Sequence, residues 1–268
     1  MARLEVEIKH PGVAVVRFVN PPTGLLTGGM AVELEGLVQR LADDAAVRVV
    51  ILTGGQPDVF IRHFDVAELA QAAATVRAAP PPGDAEWHSS LFHRLTRGLE
   101  RMGKPTIAAI NGVCMGVGYE VALACDLRIA SRGDYPIGLP EVNIGVCPGG
   151  GGTVRLSRLL GTARALELLY TGQTFAPDRA AALGLVNRVA ADALADALNL
   201  AGEMTMRSAA ALAAVKQVTR ASADLDIEAA LTVEQRVVNA RMASEEMAAL
   251  MRRMNEQGLD IRAVRAGK

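Results

Sequence analysis

The chain is short of several things at once, and each shortage closes a class of function. Net charge comes first: 28 Lys and Arg against 29 Asp and Glu leave a formal charge of -1 over 268 residues. No bulk field draws such a chain to nucleic acid or to an anionic membrane, and no basic stripe appears along it. Cysteine is scarce too. Cys114, Cys125 and Cys147 make no C-x-x-C pair, and an odd count argues against a disulfide framework. A reduced, cytoplasmic setting fits that usage. No uncharged run reaches membrane-spanning length. Met1 to His10 carries Arg3, Glu5, Glu7 and Lys9 where a signal peptide needs an apolar stretch, so none is expected there. Aromatics make up only 3% of the residues, while half of the chain is hydrophobic and Ala and Gly abound. That is enough for a sizeable core, as one large α/β domain or a core domain with an appendage.

Leu4 to Ile8 alternates apolar and charged residues and predicts a half-buried strand, turned at Pro11-Gly12 into a hairpin partner, Val13 to Val19. Leu34, Leu37, Val38 and Leu41 recur at helical spacing, so about Met30 to Asp43 is an amphipathic helix. Val47 to Thr53 is then a mostly apolar strand, as buried parallel sheets require, and the three together suggest a right-handed βαβ unit. Gly54 to Phe64 reads as a loop, with Asp65 placed to cap a helix from Val66 to about Arg77. Ala79 to Asp84 is a proline-rich linker, and helical periodicity resumes from Trp87 to Met102. Short helices are expected at Val154 to Leu160, Ala163 to Thr171 and Ala176 to Leu183, and a last strand at Leu185 to Val189. From Asp192 to about Asn255 the pattern is helical throughout, and no internal repeat is visible.

Lys104 to Thr153 holds the densest chemistry. An apolar strand, Thr106 to Ile110, leads into the glycine-rich Asn111-Gly112-Val113-Cys114-Met115-Gly116-Val117-Gly118-Tyr119-Glu120. An apolar segment and a strand at Asp126 to Ala130 follow, then Leu139-Pro140-Glu141 and Pro148-Gly149-Gly150-Gly151-Gly152-Thr153. The glycines miss the dinucleotide spacing G-x-G-x-x-G, and the second run lacks the Lys of a phosphate loop, so on their own both read as tight turns. A lone Glu is ordinarily a solvated residue. Two, each beside backbone shaped by Gly or Pro, can instead hold one water between them. Burial and like charge would raise the pKa of one, giving acid and base together. His88 and His93 are five apart, so they do not share a helix face as metal ligands would. The cysteines read as small core residues.

From Leu4 to about Arg252 this order of motifs resembles the enoyl-CoA hydratase/isomerase (crotonase) superfamily. The resemblance implies an α/β fold, a crotonase-type spiral of ββα and βαβ units. A core over residues 1–191 would carry a C-terminal helical trimerisation lobe over 192–268, in a homotrimer or dimer of trimers. It implies an acyl-CoA thioester as substrate, with coenzyme A as its carrier and no separate cofactor or metal. Glu120 and Glu141 align with the two acid/base glutamates of the hydratase branch, and the backbone N–H groups of Phe64 and Val117 with its oxyanion hole. Arg62, His63, Val66, Gly116, Tyr119 and Gly149 fall at substrate-contact positions, Arg62 toward a phosphate of the carrier. Hydration of a 2-enoyl-CoA is the leading expectation. Double-bond isomerisation usually keeps one carboxylate of the pair, C–C hydrolysis by a relative using histidine would draw on His63, and RNA binding conflicts with the charge.

Three departures stand out. The family's Phe-Ser-Ala-Gly-Ala-Asp loop is here Phe60-Ile61-Arg62-His63-Phe64-Asp65, and Val117 replaces the usual Gly. Phe64 and Tyr119 then either narrow the acyl pocket or turn away and leave only their N–H groups to matter. Near the end of the chain Arg252-Arg253-Met254-Asn255 stands in place of an aromatic and Lys-Arg-rich segment.

Overall fold

A run of aliphatic strands carries the fold. The structure, a computed structural model, describes residues 1–79 and 90–261, so most of the proline-rich linker, with Trp87 and His88, lies outside the described residues. The hairpin forms as expected, with β1 (Arg3–His10) antiparallel to β2 (Val13–Val19). α1 (Gly28–Asp43) crosses to β3 (Val49–Gly54), which runs parallel to β2. Thr27 caps α1 by accepting the Met30 N–H, and Met30, Leu34, Leu37, Val38 and Leu41 turn its apolar face inward. Next come β4 (Asp58–Ile61), α2 (Val66–Ala78), α3 (Leu91–Arg101), β5 (Thr106–Ile110), β6 (Gly112–Met115), α4 (Val117–Ala124), β7 (Leu127–Ser131) and β8 (Ile137–Gly138). A 3-10 turn at Glu141–Ile144 precedes α5 (Gly152–Leu160), α6 (Thr162–Thr171), β9 (Thr174–Phe175), α7 (Pro177–Ala182) and β10 (Arg188–Ala190). The chain ends in α8 (Ala193–Thr205), α9 (Ala209–Ser222), α10 (Ile227–Met242) and α11 (Glu245–Gln257).

Two sheets share these strands, a large one in the order β1-β2-β3-β5-β7-β10 and a small one in the order β4-β6-β8-β9. Successive strands alternate between them: β3 then β4, β5 then β6, β7 then β8, each pair followed by a helix or the 3-10 turn. This is the expected spiral of ββα units. It is a repeat of topology that leaves no repeat of sequence, because each turn of the spiral asks only for apolar strand residues, not for the same ones.

The small sheet corrects part of the reading of Gly54 to Phe64 as loop, since Asp58–Ile61 within it is β4, and the reading of Gly112 to Met115 as a turn, since it is β6; the two pair in parallel. Strands of two to four residues show no periodicity to detect. Gly112 allows their contact, since a Cβ there would lie 1.8 Å from the Asp58 carbonyl carbon. β1 is also not half-buried: only Leu4 is covered, and Val6 and Ile8 are 47% and 58% exposed. The alternation is real, but β1 is the sheet edge, and cover on that face reaches Leu4 and stops short of Val6 and Ile8.

On the other face of the large sheet, α8 lays Ala193, Ala197 and Ala201 against Val13, Val15, Val49, Ile51, Ile107, Ala109 and Ile129. α9 is pinned at two points: Lys216 bonds the Leu99 and Lys104 carbonyls, and Arg220 pairs with Asp126 at 2.9 Å. α10 and α11 bury only Ala230 and leave Ile227, Leu231, Val238, Met242 and Met251 exposed, which makes them a helical lobe on the core. No helix among the described residues is long and apolar enough to cross a membrane.

Candidate active site

α4 is the element on which the site is built. It starts at Gly116, whose φ of 53° with ψ of -129° is open to glycine and little else, and all eight of its residues are buried. Glu120 is therefore carried inside the core, 3% exposed. Its Oε1 accepts the N–H of Gly150 at 2.7 Å and of Gly152 at 2.8 Å. Burial pushes its pKa up; those two N–H groups, and then the Arg155 charge, pull the other way.

Glu141 opens the 3-10 turn. A Cβ built on Gly116 would stand 3.3 Å from Glu141 Oε1 and 3.6 Å from His63 Cβ, so these three residues meet at the start of α4. Glu141 Oε2 is buried with no hydrogen-bond partner among the described residues. Burial first, and then the neighbouring Glu120 charge, push its pKa to about 7. Of the two, Glu141 has fewer donors to stabilise a charge.

Two further backbone N–H groups lie on the segments that meet here, those of Phe64 and Val117. Leu26 and Phe64 form a parallel bridge in which Leu26 N–H donates to His63 O and Asp65 N–H to Leu26 O, so the Phe64 N–H is passed over. Val117 N–H is the first of α4 and has no intrahelical acceptor. Neither donates to protein among the described residues. The two segments lie together, since a Cβ on Gly118 would touch the Ile61 carbonyl oxygen at 2.4 Å. Glu141 and the loop of His63 and Phe64 thus meet the start of α4 at Gly116, and Glu120 follows one turn along that helix.

The remaining predicted residues divide. His63 is beside the pair, but its Nδ1 donates to the Phe64 carbonyl at 2.7 Å, which holds the ring on its own loop. Phe64 packs edge-to-face on Phe92 of α3, ring centroids 5.2 Å apart. Asp65 caps α2 as expected. Arg62 is exposed, with Nε on the Thr23 carbonyl at 3.0 Å; Val66 is exposed on the first turn of α2, and Gly149 is exposed on the glycine loop. Tyr119 corrects its expected place at the pocket wall. Its side chain is fully buried and its hydroxyl donates to the Leu185 carbonyl at 2.9 Å, which turns it into the core. Cys114 and Cys125 are core residues as read, but Cys147 is exposed.

Sequence reasoning left Gly150 and Gly152 as turn formers. Their N–H groups are in fact what seats Glu120, and the signal was there in the glycine run itself. Thr96, Glu100 and Arg155, which stand behind that run, carried no signal. Among the described residues no group of three or more His, Cys, Asp or Glu could hold a metal ion.

The enoyl-CoA hydratase/isomerase family model matches residues 8–259. The chain is 31% identical over 245 residues to a short-chain enoyl-CoA hydratase of Clostridium acetobutylicum, covering 90% of each chain. It is 32% identical over 238 residues to a crotonyl-CoA hydratase of Syntrophomonas wolfei, covering 87% of this chain and 88% of the relative. Among solved structures, an enoyl-CoA hydratase from Bacillus anthracis is similar with a TM-score of 0.83 at 27% identity, over 95% of this chain and 96% of that one.

Proposed function

This chain is an enzyme that belongs to the enoyl-CoA hydratase/isomerase family, and we propose that it adds water across the double bond of a 2-enoyl thioester of coenzyme A. The observation that carries the reading is the unequal pair at Gly116: Glu120 seated on two N–H groups, and Glu141 with an unpartnered oxygen and a pKa near 7. An ionised Glu120 takes a proton from a water, whose oxygen bonds to C3 of the enoyl group. The electron pair of the double bond moves onto the thioester oxygen, and the resulting enolate is met by the Phe64 and Val117 N–H groups. Glu141 then gives its proton to C2, and the proton gained by Glu120 passes back to Glu141 before the next turnover. Each backbone donor to the enolate is worth roughly 10²–10³ in rate, about 3–4 kcal/mol.

The two hydratase relatives support water addition over isomerisation, which needs one carboxylate only. C–C hydrolysis through His63 is disfavoured by the bond that ties its Nδ1 to Phe64. Coenzyme A enters as the carrier of the substrate, and the reading calls on no other cofactor; Arg62 has N–H groups beyond the one on Thr23 with which to meet a phosphate. A homotrimer or dimer of trimers is part of the same reading, supported by the apolar residues that α10 and α11 leave exposed. Three free cysteines suit a cytoplasmic enzyme.

Purified protein should convert crotonyl-CoA to the 3-hydroxy product, followed as loss of the conjugated thioester. Turnover of a 3-enoyl-CoA without any hydration would overturn the reading. Sedimentation of the same sample decides the assembly, and an active monomer removes it.

A further inference from the structure

Glu120 is held by the loosest kind of backbone, four consecutive glycines from Gly149 to Gly152. Something outside the run must keep its N–H groups aimed. The peptides ending at Gly150 N–H and Gly152 N–H face Glu120, and the peptide between them turns its carbonyl, Gly150 O, the other way. Gly151, at φ 95°, permits that reversal. Arg155 Nη1 donates to this carbonyl at 2.8 Å, and a Cβ on Gly151 would lie 2.1 Å from the same nitrogen, so the guanidinium lies flat against the loop. Thr96 Oγ1 is 3.2 Å from the carbonyl, but its single proton is also within 2.8 Å reach of Phe92 O, which leaves Arg155 as the principal holder. The other edge of the guanidinium is filled: Nε and Nη2 grip both oxygens of Glu100 at 2.8 and 2.9 Å, with only 13% and 25% of the two side chains exposed. Glu100 in turn lies 3.5 Å from Arg220 on α9.

We propose that Arg155, oriented by Glu100, is a positioning residue for the reaction: it fixes the Gly150 carbonyl so that the flanking N–H groups stay on Glu120. The inference rests on Glu120 being the proton acceptor of the proposed hydration. A plain staple between α3 and α5 would use the same ion pair, but would owe nothing to the fork that reaches Gly150. The two roles separate in what they do to Glu120. The N–H groups and the Arg155 charge favour its ionised form, so slackening the loop raises its pKa.

The test compares Arg155→Met with Arg155→Lys and with the pair Arg155→Met, Glu100→Gln, which leaves no buried charge unpaired. In Arg155→Met and the pair, kcat falls by about 10²-fold, the scale of a misplaced catalytic group, with KM little changed. The acid limb of the kcat profile moves to higher pH. Arg155→Lys, which keeps the charge but not the fork, recovers part of both. Infrared titration of the Glu120 carboxyl in a Glu141→Gln background reads the same effect without turnover, its midpoint moving up when Arg155 is replaced. An unchanged midpoint and acid limb in the folded double variant overturn the inference. If the wild type hydrates nothing, the proposed function falls, and the infrared midpoint still decides the role of Arg155.

Discussion

Around Glu120 the chain supplies a fully buried helix and a glycine loop whose N–H groups converge on one oxygen. Around Glu141 it supplies a four-residue 3-10 turn and leaves one carboxylate oxygen without a partner. The side chains are identical, so any difference in proton affinity comes from what surrounds them: backbone N–H groups and the Arg155 charge for Glu120, and the neighbouring Glu120 charge for Glu141. Burial acts on both and raises both; Glu120 has two loop N–H donors, and Glu141 only the N–H of its own residue. The seat with fewer donors favours the neutral carboxyl more, which is how one residue type can serve as acceptor and donor in the same site.

The sharpest way to break this comparison is to remove each carboxylate in turn. Glu120→Gln and Glu141→Gln should each lower hydration by at least about 10²-fold, with thioester binding largely kept. They should differ in a second assay, exchange of the C2 hydrogens of butyryl-CoA with heavy water. Glu120→Gln keeps that exchange, because Glu141 is the group that handles the C2 proton, and Glu141→Gln loses it. The opposite pattern would reverse the two roles, and near-normal hydration in either folded variant would end the paired mechanism.

A smaller effect should appear in stability. Glu141 has a folded pKa of about 7 against an ordinary value of 4.5, so between those values the folded state holds a proton that the unfolded chain has given up. Its contribution is present below the lower value and is lost as pH rises through the window. Glu141→Gln removes that loss. The variant should melt a few degrees above wild type at about pH 8 and level with it at about pH 4. Equal melting at both would mean that Glu141 is not held protonated by its seat.

The smallest effect is expected at Phe64, whose N–H is what the mechanism uses and whose ring packs on Phe92. Phe64→Ala should keep turnover of crotonyl-CoA within about tenfold while improving longer straight-chain substrates, on the scale that apolar pocket contacts discriminate. An unchanged chain-length profile would make the ring a packing group alone.

Most of the large sheet was legible because its strands are runs such as Val13 to Val19 and Val49 to Gly54, apolar enough to have no other reading. α1 and the Asp65 cap were legible for the same local reason. The small sheet was not, since β8 and β9 are two residues each and β6 is half hidden in a glycine run. In the site, motif order singled out Glu120, Glu141, Phe64 and Val117 as candidates. It could not tell that Tyr119 turns into the core, or that Arg155 stands behind the loop.

What the sequence by itself determined is what depends on neighbours along the chain: strands, helix faces, caps, and the order in which two glutamates and two glycine runs occur. Periodicity and turn chemistry act within a few residues, so they leave a trace that can be read. What only the tertiary structure decided is direction: Glu120 meeting N–H groups thirty and more residues away, Tyr119 bonding Leu185, and the Gly150 carbonyl turned to Arg155. A hydrogen bond needs its donor aimed to within tens of degrees. That aim is set by how α3, α4 and α5 pack on one another, which no single segment encodes.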